Sequence, residues 1–204
     1  MKNGDVRARK VARQVVFALG CFFFIQLVGA RGARAESPGK VDGFDAVGTL
    51  GYGIAVGDLT WGAREFEPYG VTMGLEVGYT FPFGLRIATD GSYGFGRRIE
   101  ETLSTGEVVA TDAYSISWGG SLGYDLLLSS FRLRIAADMG LVMYSVEGGV
   151  VEGTPAPGAA YYIGPKVALI WEHRAFEFGL QSKYWATTSA GVVQVGLMGG
   201  ARFF

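Results

Sequence analysis

The 204-residue chain is short of nearly everything that supports chemistry by side-chain clusters. It has one cysteine, Cys21, and one histidine, His173, and only 18% of its residues are charged. A single cysteine excludes an internal disulfide framework and thiolate metal sites. A single histidine leaves little scope for the commonest general base. Beyond the first thirty residues no apolar run is long enough to cross a bilayer as a helix, so a helical membrane protein is excluded as well. What is abundant is apolar: 49% hydrophobic and 14% aromatic residues, with 33 glycines. Such a chain is not disordered, and its length suits one domain.

The N-terminus reads as an export signal. "MKNGDVRARKVARQ" carries Lys2, Arg7, Arg9, Lys10 and Arg13, an apolar run "VVFALGCFFFIQLVGA" follows, and Ala33 and Ala35 supply small residues before Glu36. Residues 1–35 are therefore expected to be removed as a signal peptide, leaving 36–42 as a short leader and 43–204 as the folded domain. Cleavage takes away seven basic residues and one acidic one, so the mature chain has a net charge of −7 and no cysteine. That balance disfavours nucleic acid as a partner.

The rest of the chain has a period of two. From Tyr69, "YGVTMGLEVGYTF" puts Tyr69, Val71, Met73, Leu75, Val77, Tyr79 and Phe81 on one face and Gly, Thr and Glu76 on the other. Apolar residues at every second position have no helical explanation. The same alternation recurs along the chain to the final stretch, Val192 to Phe204, giving about eight strands. Tight connections ("TFPFGL", "LLSSFR", "WEHRAF") alternate with longer ones ("GDLTWGARE", "RRIEETLSTGEVVATD", "EGGVVEGTPAPG"), as in an up-and-down meander. Pro165 falls inside a strand, and a bulge or a gap in the hydrogen-bond ladder is expected there.

Alternation gives two faces and leaves open which solvent each meets. The polar faces are mostly Gly, Ser, Thr and Ala with single charges, a poor water-facing exterior but a good filling for a narrow barrel. The apolar faces carry too much bulk for an eight-stranded interior, which is only just wide enough for side chains. The apolar set is thus expected to point into lipid, and closure of the sheet then satisfies every backbone group, as a bilayer demands. Aromatics fall near strand ends: Tyr79, Phe81, Phe83, Tyr124, Phe131, Trp171 and Phe176 by the tight turns, and Tyr52, Tyr69, Tyr93, Phe95, Tyr114, Tyr161 and Tyr184 toward the longer loops.

By these features the sequence resembles the small outer-membrane β-barrels of Gram-negative bacteria, with the architecture of the OmpA membrane domain and OmpX. The resemblance covers nearly the whole mature chain and is one of architecture. It implies an all-β fold, a closed antiparallel up-and-down transmembrane β-barrel in the outer membrane. It also implies a monomer surrounded by outer-membrane lipid and handled during biogenesis by periplasmic chaperones and the barrel-assembly machinery. In that family a terminal aromatic is the assembly signal, which here carries over to Phe203 or Phe204. The parity of Val193, Val195 and Leu197 favours Phe203, unless Gly199 and Gly200 mark a bulge.

Parity also names the charges expected inside: Asp45, Glu76, Arg86, Asp90, Asp125, Arg132, Arg134, Asp138, Lys166, Glu172, Glu177 and Lys183. Seven acids and five bases in a narrow lumen should pair, because lone buried charges cost several kcal/mol each. A charged, side-chain-filled lumen with surface loops suits a structural or surface-interaction role. The alternative is a narrow channel or carrier for small solutes, similar to the OmpW-like barrels. An enzyme is not expected: His173 lies in a tight turn, at the wrong end for work near the outer leaflet. No cofactor or metal site is expected either, since the loop acids Glu100, Glu101, Glu107, Glu147 and Glu152 match no calcium loop.

Overall fold

The computed structural model describes residues 42–56, 60–61, 64–65, 68–102, 106, 108–128, 131–148, 158–187 and 190–203. The expected signal peptide lies outside the described residues, as does all of the expected leader except Asp42. In chain order the strands are β1 (Gly43–Val56), β2 (Thr60–Trp61), β3 (Arg64–Glu65), β4 (Val71–Thr80), β5 (Leu85–Thr102), β6 (Val108–Leu128), β7 (Phe131–Gly148), β8 (Ala159–His173), β9 (Phe176–Thr187) and β10 (Gly191–Phe203). Strands β2 and β3 form a small hairpin of their own. The other eight close into one barrel in the circuit β1, β4, β5, β6, β7, β8, β9, β10, every pair antiparallel. Because β1 bonds to both β4 and β10, the sheet has no edge.

The period-two pattern sets which face is which. Phe44, Leu50, Tyr52 and Ile54 of β1, Ile116, Trp118 and Leu122 of β6, and Phe178, Leu180 and Tyr184 of β9 are all exposed on the outside. No outward position between the two aromatic zones carries a charge. At the tight-turn end the outer aromatics touch one another, with ring centroids 4.7 Å apart for Phe44 and Tyr79 and 4.9 Å for Phe131 and Trp171. At the other end Tyr93 meets Phe95 and Tyr114 at 4.6 and 5.7 Å. On β6 the two zones are marked by Tyr124 and Tyr114. With a rise of about 3.3 Å per residue and a tilt of about 40°, they stand roughly 25 Å apart along the barrel axis. That is the height of the apolar band of a transmembrane barrel.

Two expectations from the sequence differ from the structure, one connection and one strand start. The stretch between Arg97 and Asp112 is largely strand: β5 and β6 continue past the aromatic zone, with Thr102 opposite Val108, after a register shift between Phe95 and Arg98. On this extension Arg98 and Glu100 are both exposed, and the apolar alternation of the barrel does not continue. Tyr69 is not part of β4, which starts at Val71, and it is buried rather than outward. Pro68 and Gly70 break the alternation on either side of it, so its parity carries no meaning. At Pro165 the β8–β9 ladder runs Ile163 to Ala186 and resumes at Lys166 to Lys183 in the same register, while the β7 side stays continuous. It is a gap and not a bulge, which is how a closed barrel absorbs the missing donor.

Candidate functional site: the barrel lumen

The inward positions of the eight strands bring charge together on a scale the outer face never shows. Every inward charge expected from parity except Glu172 is buried, and Glu172 stands partly open at the tight-turn mouth. Parity also makes Arg202 inward. It is not among the inward charges expected above, yet it is fully buried and pairs with Glu172 at 2.9 Å. These thirteen side chains form one connected network.

Its members are joined across the lumen as well as along the walls. In the circuit of eight strands, a strand four steps away lies on the opposite wall. Three ion pairs join such strands: Arg134 of β7 with Asp45 of β1 at 3.3 Å, Lys166 of β8 with Glu76 of β4, and Lys183 of β9 with Asp90 of β5. Further contacts knit these bars into a continuous chain. Arg134 reaches Glu76 at 3.2 Å and Asp125 at 2.9 Å, Arg86 meets Asp45 and Glu76, and Asp138 lies 3.3 Å from Lys183 and 3.7 Å from Lys166. At the turn end Arg132 joins Asp125, Glu172 and Glu177.

The register explains why the bars must cross. Glu76 faces Asp90 as its neighbour across β4 and β5, and Lys166 faces Lys183 across β8 and β9. Like charges directly opposite each other on adjacent strands repel. Here the acidic couple on one wall stands opposite the basic couple on the other and is joined to it across the lumen, while Arg86 and Asp138 add opposite charge from nearby strands. Glu172 and Glu177 also face each other, and they are answered from the flanking strands, by Arg132 of β7 and Arg202 of β10. Space for the crossing groups comes from inward glycines: the Arg86 guanidinium lies where a β-carbon on Gly78 would be.

The loop-side half of the lumen has a different lining. Tyr69, Ala113, Val142, Tyr162, Trp185 and Val192 form a buried cluster, with Tyr144 packed against it. Tyr162 stacks on Trp185 at 4.5 Å, Lys183 Nζ sits 5.5 Å from the Trp185 ring centre, and the Tyr162 hydroxyl rests against Gly119 and Gly140. Tyr69 and Tyr144 share a hydroxyl–hydroxyl bond of 2.6 Å with their rings nearly perpendicular. The parity of β7, β8 and β9 places Tyr144, Tyr162 and Trp185 inside, but nothing in the sequence marks Tyr69 as their partner.

His173 ends β8 at the tight-turn mouth and is exposed, next to Arg174, whose φ of 58° makes the turn. Phe203 is opposite Phe44 in an unshifted ladder that runs to Val56 and Gly191, so Gly199 and Gly200 carry no bulge and Phe203 shares the outward face of Val193, Val195 and Leu197. Phe204 lies outside the described residues.

No family model matches the chain, and no curated protein matches it by sequence. Solved structures do match it. Neisserial surface protein A is 15% identical, with a TM-score of 0.59 over 78% of this chain and 97% of that one. Ail, the attachment invasion locus protein of Yersinia pestis, solved with the heparin analogue sucrose octasulfate, is 14% identical, with a TM-score of 0.52 over 80% of this chain and 100% of that one. The outer-membrane protein OprG of Pseudomonas aeruginosa is 7% identical, with a TM-score of 0.51 over 78% and 96%. At such identities the likeness is one of fold. The chain therefore has the fold of the small eight-stranded outer-membrane β-barrels.

Proposed function

We propose that the mature chain is an integral outer-membrane protein whose barrel is closed through its centre by ion pairs, and that it serves a structural or surface-interaction role rather than as a pore. The observation that carries this reading is the contrast of faces: an outside without charge over about 25 Å of height, and an inside spanned by three ion-pair bars. A lumen of eight strands has no room for both such bars and an aqueous path. The sheet that continues from β5 and β6 beyond the aromatic zone supplies the surface part. A mature net charge of −7 sets it against polyanionic partners.

The reading includes export by residues 1–35, a monomeric barrel in contact with lipid, and delivery by periplasmic chaperones to the barrel-assembly machinery, with Phe203 as the outward terminal aromatic. It assigns no catalytic residue and no cofactor. Recordings in planar bilayers test the seal: the purified protein should show no steady conductance, and a large steady current would overturn it. Comparing assembly of Phe203→Ala and Phe204→Ala tests the terminal signal, with the greater defect expected for Phe203→Ala.

The second reading, a narrow carrier for small solutes, is favoured by one observation, the aromatic lining of the loop-side half of the lumen.

A further inference from the structure

We propose that the loop-side half of the barrel is a closed-ended binding cup for a small phenol-like solute, and that Tyr69 is its removable internal occupant. This goes beyond the sealed-barrel reading, since a cup with a closed floor binds without conducting.

The first observation is where Tyr69 comes from. The rest of the cup is built from strand residues that cannot leave without breaking the barrel: Val142 and Tyr144 of β7, Tyr162 of β8, Trp185 of β9 and Val192 of β10. Tyr69 belongs to the connection before β4 and not to a barrel strand. Ser115 Oγ donates to the Pro68 carbonyl at 3.1 Å, and Gly53 N donates to the Gly70 carbonyl at 2.7 Å. Even so, Tyr69 is only 7% exposed, because its ring reaches inward from β4's end of the sheet to Tyr144, three strands away around the circuit.

The second observation is what the ring meets there. Its edge packs on the Tyr144 ring at 5.9 Å and 88°, and its hydroxyl bonds to Tyr144 Oη. Tyr144 itself also engages the Thr187 hydroxyl. A site that holds one phenol by an edge-to-face contact and a hydroxyl bond has the chemistry to hold another, and the occupant already present defines the ligand class: a planar ring carrying one hydroxyl or acceptor.

The third observation is the floor. The stacked pair of Tyr162 and Trp185 closes the cup, with Lys183 and the ion-pair network beyond it. The Tyr162 hydroxyl, on a residue only 3% exposed, finds no hydrogen-bond partner among the described residues. A buried hydroxyl without a partner is unfavourable, and a solute entering with a polar group has a partner waiting for it.

Trp185 makes the test direct. The tryptophans are Trp61, Trp118, Trp171 and Trp185, and among the described side chains only Trp185 is in this cluster. The full chain with Trp61, Trp118 and Trp171 replaced by Phe, folded in detergent micelles, reports from the cup floor alone. Titration with para-nitrophenol, an absorbing phenol, should quench Trp185 saturably and be reversed by excess phenol. Tyr69→Ala removes the internal competitor and should lower the half-saturation concentration by about tenfold. Tyr144→Phe keeps both rings but loses the hydroxyl bond, and should weaken binding of the probe in the Tyr69→Ala background. Folding of each variant is checked by heat-dependent gel mobility. If Tyr69→Ala fails to fold, Tyr69→Leu takes its place. Quenching that stays linear in probe, or a half-saturation no lower without the Tyr69 ring than with it, would overturn the proposal.

Discussion

The two halves of the lumen are closed by different means. Toward the tight turns, charged side chains fixed on strands reach across and neutralise one another, and each is held by the ladder on both sides of its strand. Toward the loops, the closure depends on an aromatic ring borrowed from a connection. The first is part of the barrel and cannot open while the barrel stands. The second is added to it, so its removal leaves every ladder bond between strands in place. One molecule thus separates a permanent seal from a detachable one, and substitutions should reveal the difference as a gradient of cost.

The largest loss is expected at Arg134. It touches Asp45, Glu76 and Asp125, and all four side chains are within 3% of full burial. Arg134→Met leaves three buried carboxylates short of their shared cation. Removing one partner of a buried pair costs about 3–5 kcal/mol, and urea unfolding in micelles should show a loss at the top of that range or failure to fold. Replacement of Lys183 by Met, which deprives Asp90 and Asp138, should cost less, about 3 kcal/mol, because Asp138 keeps Lys166 nearby. A loss below 1 kcal/mol in both would mean the network does not hold the barrel.

Tyr69→Ala belongs to the detachable half. It should cost about 2–3 kcal/mol, the range for burying a large side chain, with the denaturant slope unchanged because the barrel still unfolds as one unit. Tyr144→Phe removes one hydrogen bond and little surface, and about 1 kcal/mol is expected. Should Tyr69→Ala prove as costly as Arg134→Met, the loop segment would be as integral to the fold as the strands.

The same contrast explains what could be read from the sequence. The barrel was legible because lipid outside and a crowded inside impose opposite chemistry on successive residues, so parity alone assigned the inner charges from Asp45 to Lys183. What parity cannot supply is the partner. The spacing of Glu76 and Lys166 gives no hint that they meet, since that depends on closure bringing β4 opposite β8. The continuation of β5 and β6 past Phe95 leaves no alternating signature, since Arg98 and Glu100 there are exposed and the sequence is not held to an apolar face. Tyr69 escapes parity for a third reason: it lies two residues before β4 begins, between Pro68 and Gly70, where only the three-dimensional path shows that the side chain turns inward. Arg202, by contrast, obeys the rule, alternating with Phe203 and facing inward.

The smallest effect is expected from an ion pair of the same chemistry in another solvent. Arg98 and Glu100 lie 3.3 Å apart on the extension of β5, with side chains 55% and 62% exposed, whereas Arg134 and Asp45, at the same distance, are 1% and 0% exposed. Water already solvates the outer pair, so its Coulomb attraction is screened and partly offset by the ordering of two long side chains. Arg98→Ala should therefore change unfolding free energy by no more than about 0.5 kcal/mol, and raising the salt concentration should erase even that. The Arg134 cluster should be indifferent to salt, because ions cannot enter the filled lumen to screen it. Measuring both variants at low and high salt places the two pairs on one axis. An Arg98→Ala loss comparable to that of Arg134→Met would mean that distance rather than burial sets the strength of these pairs.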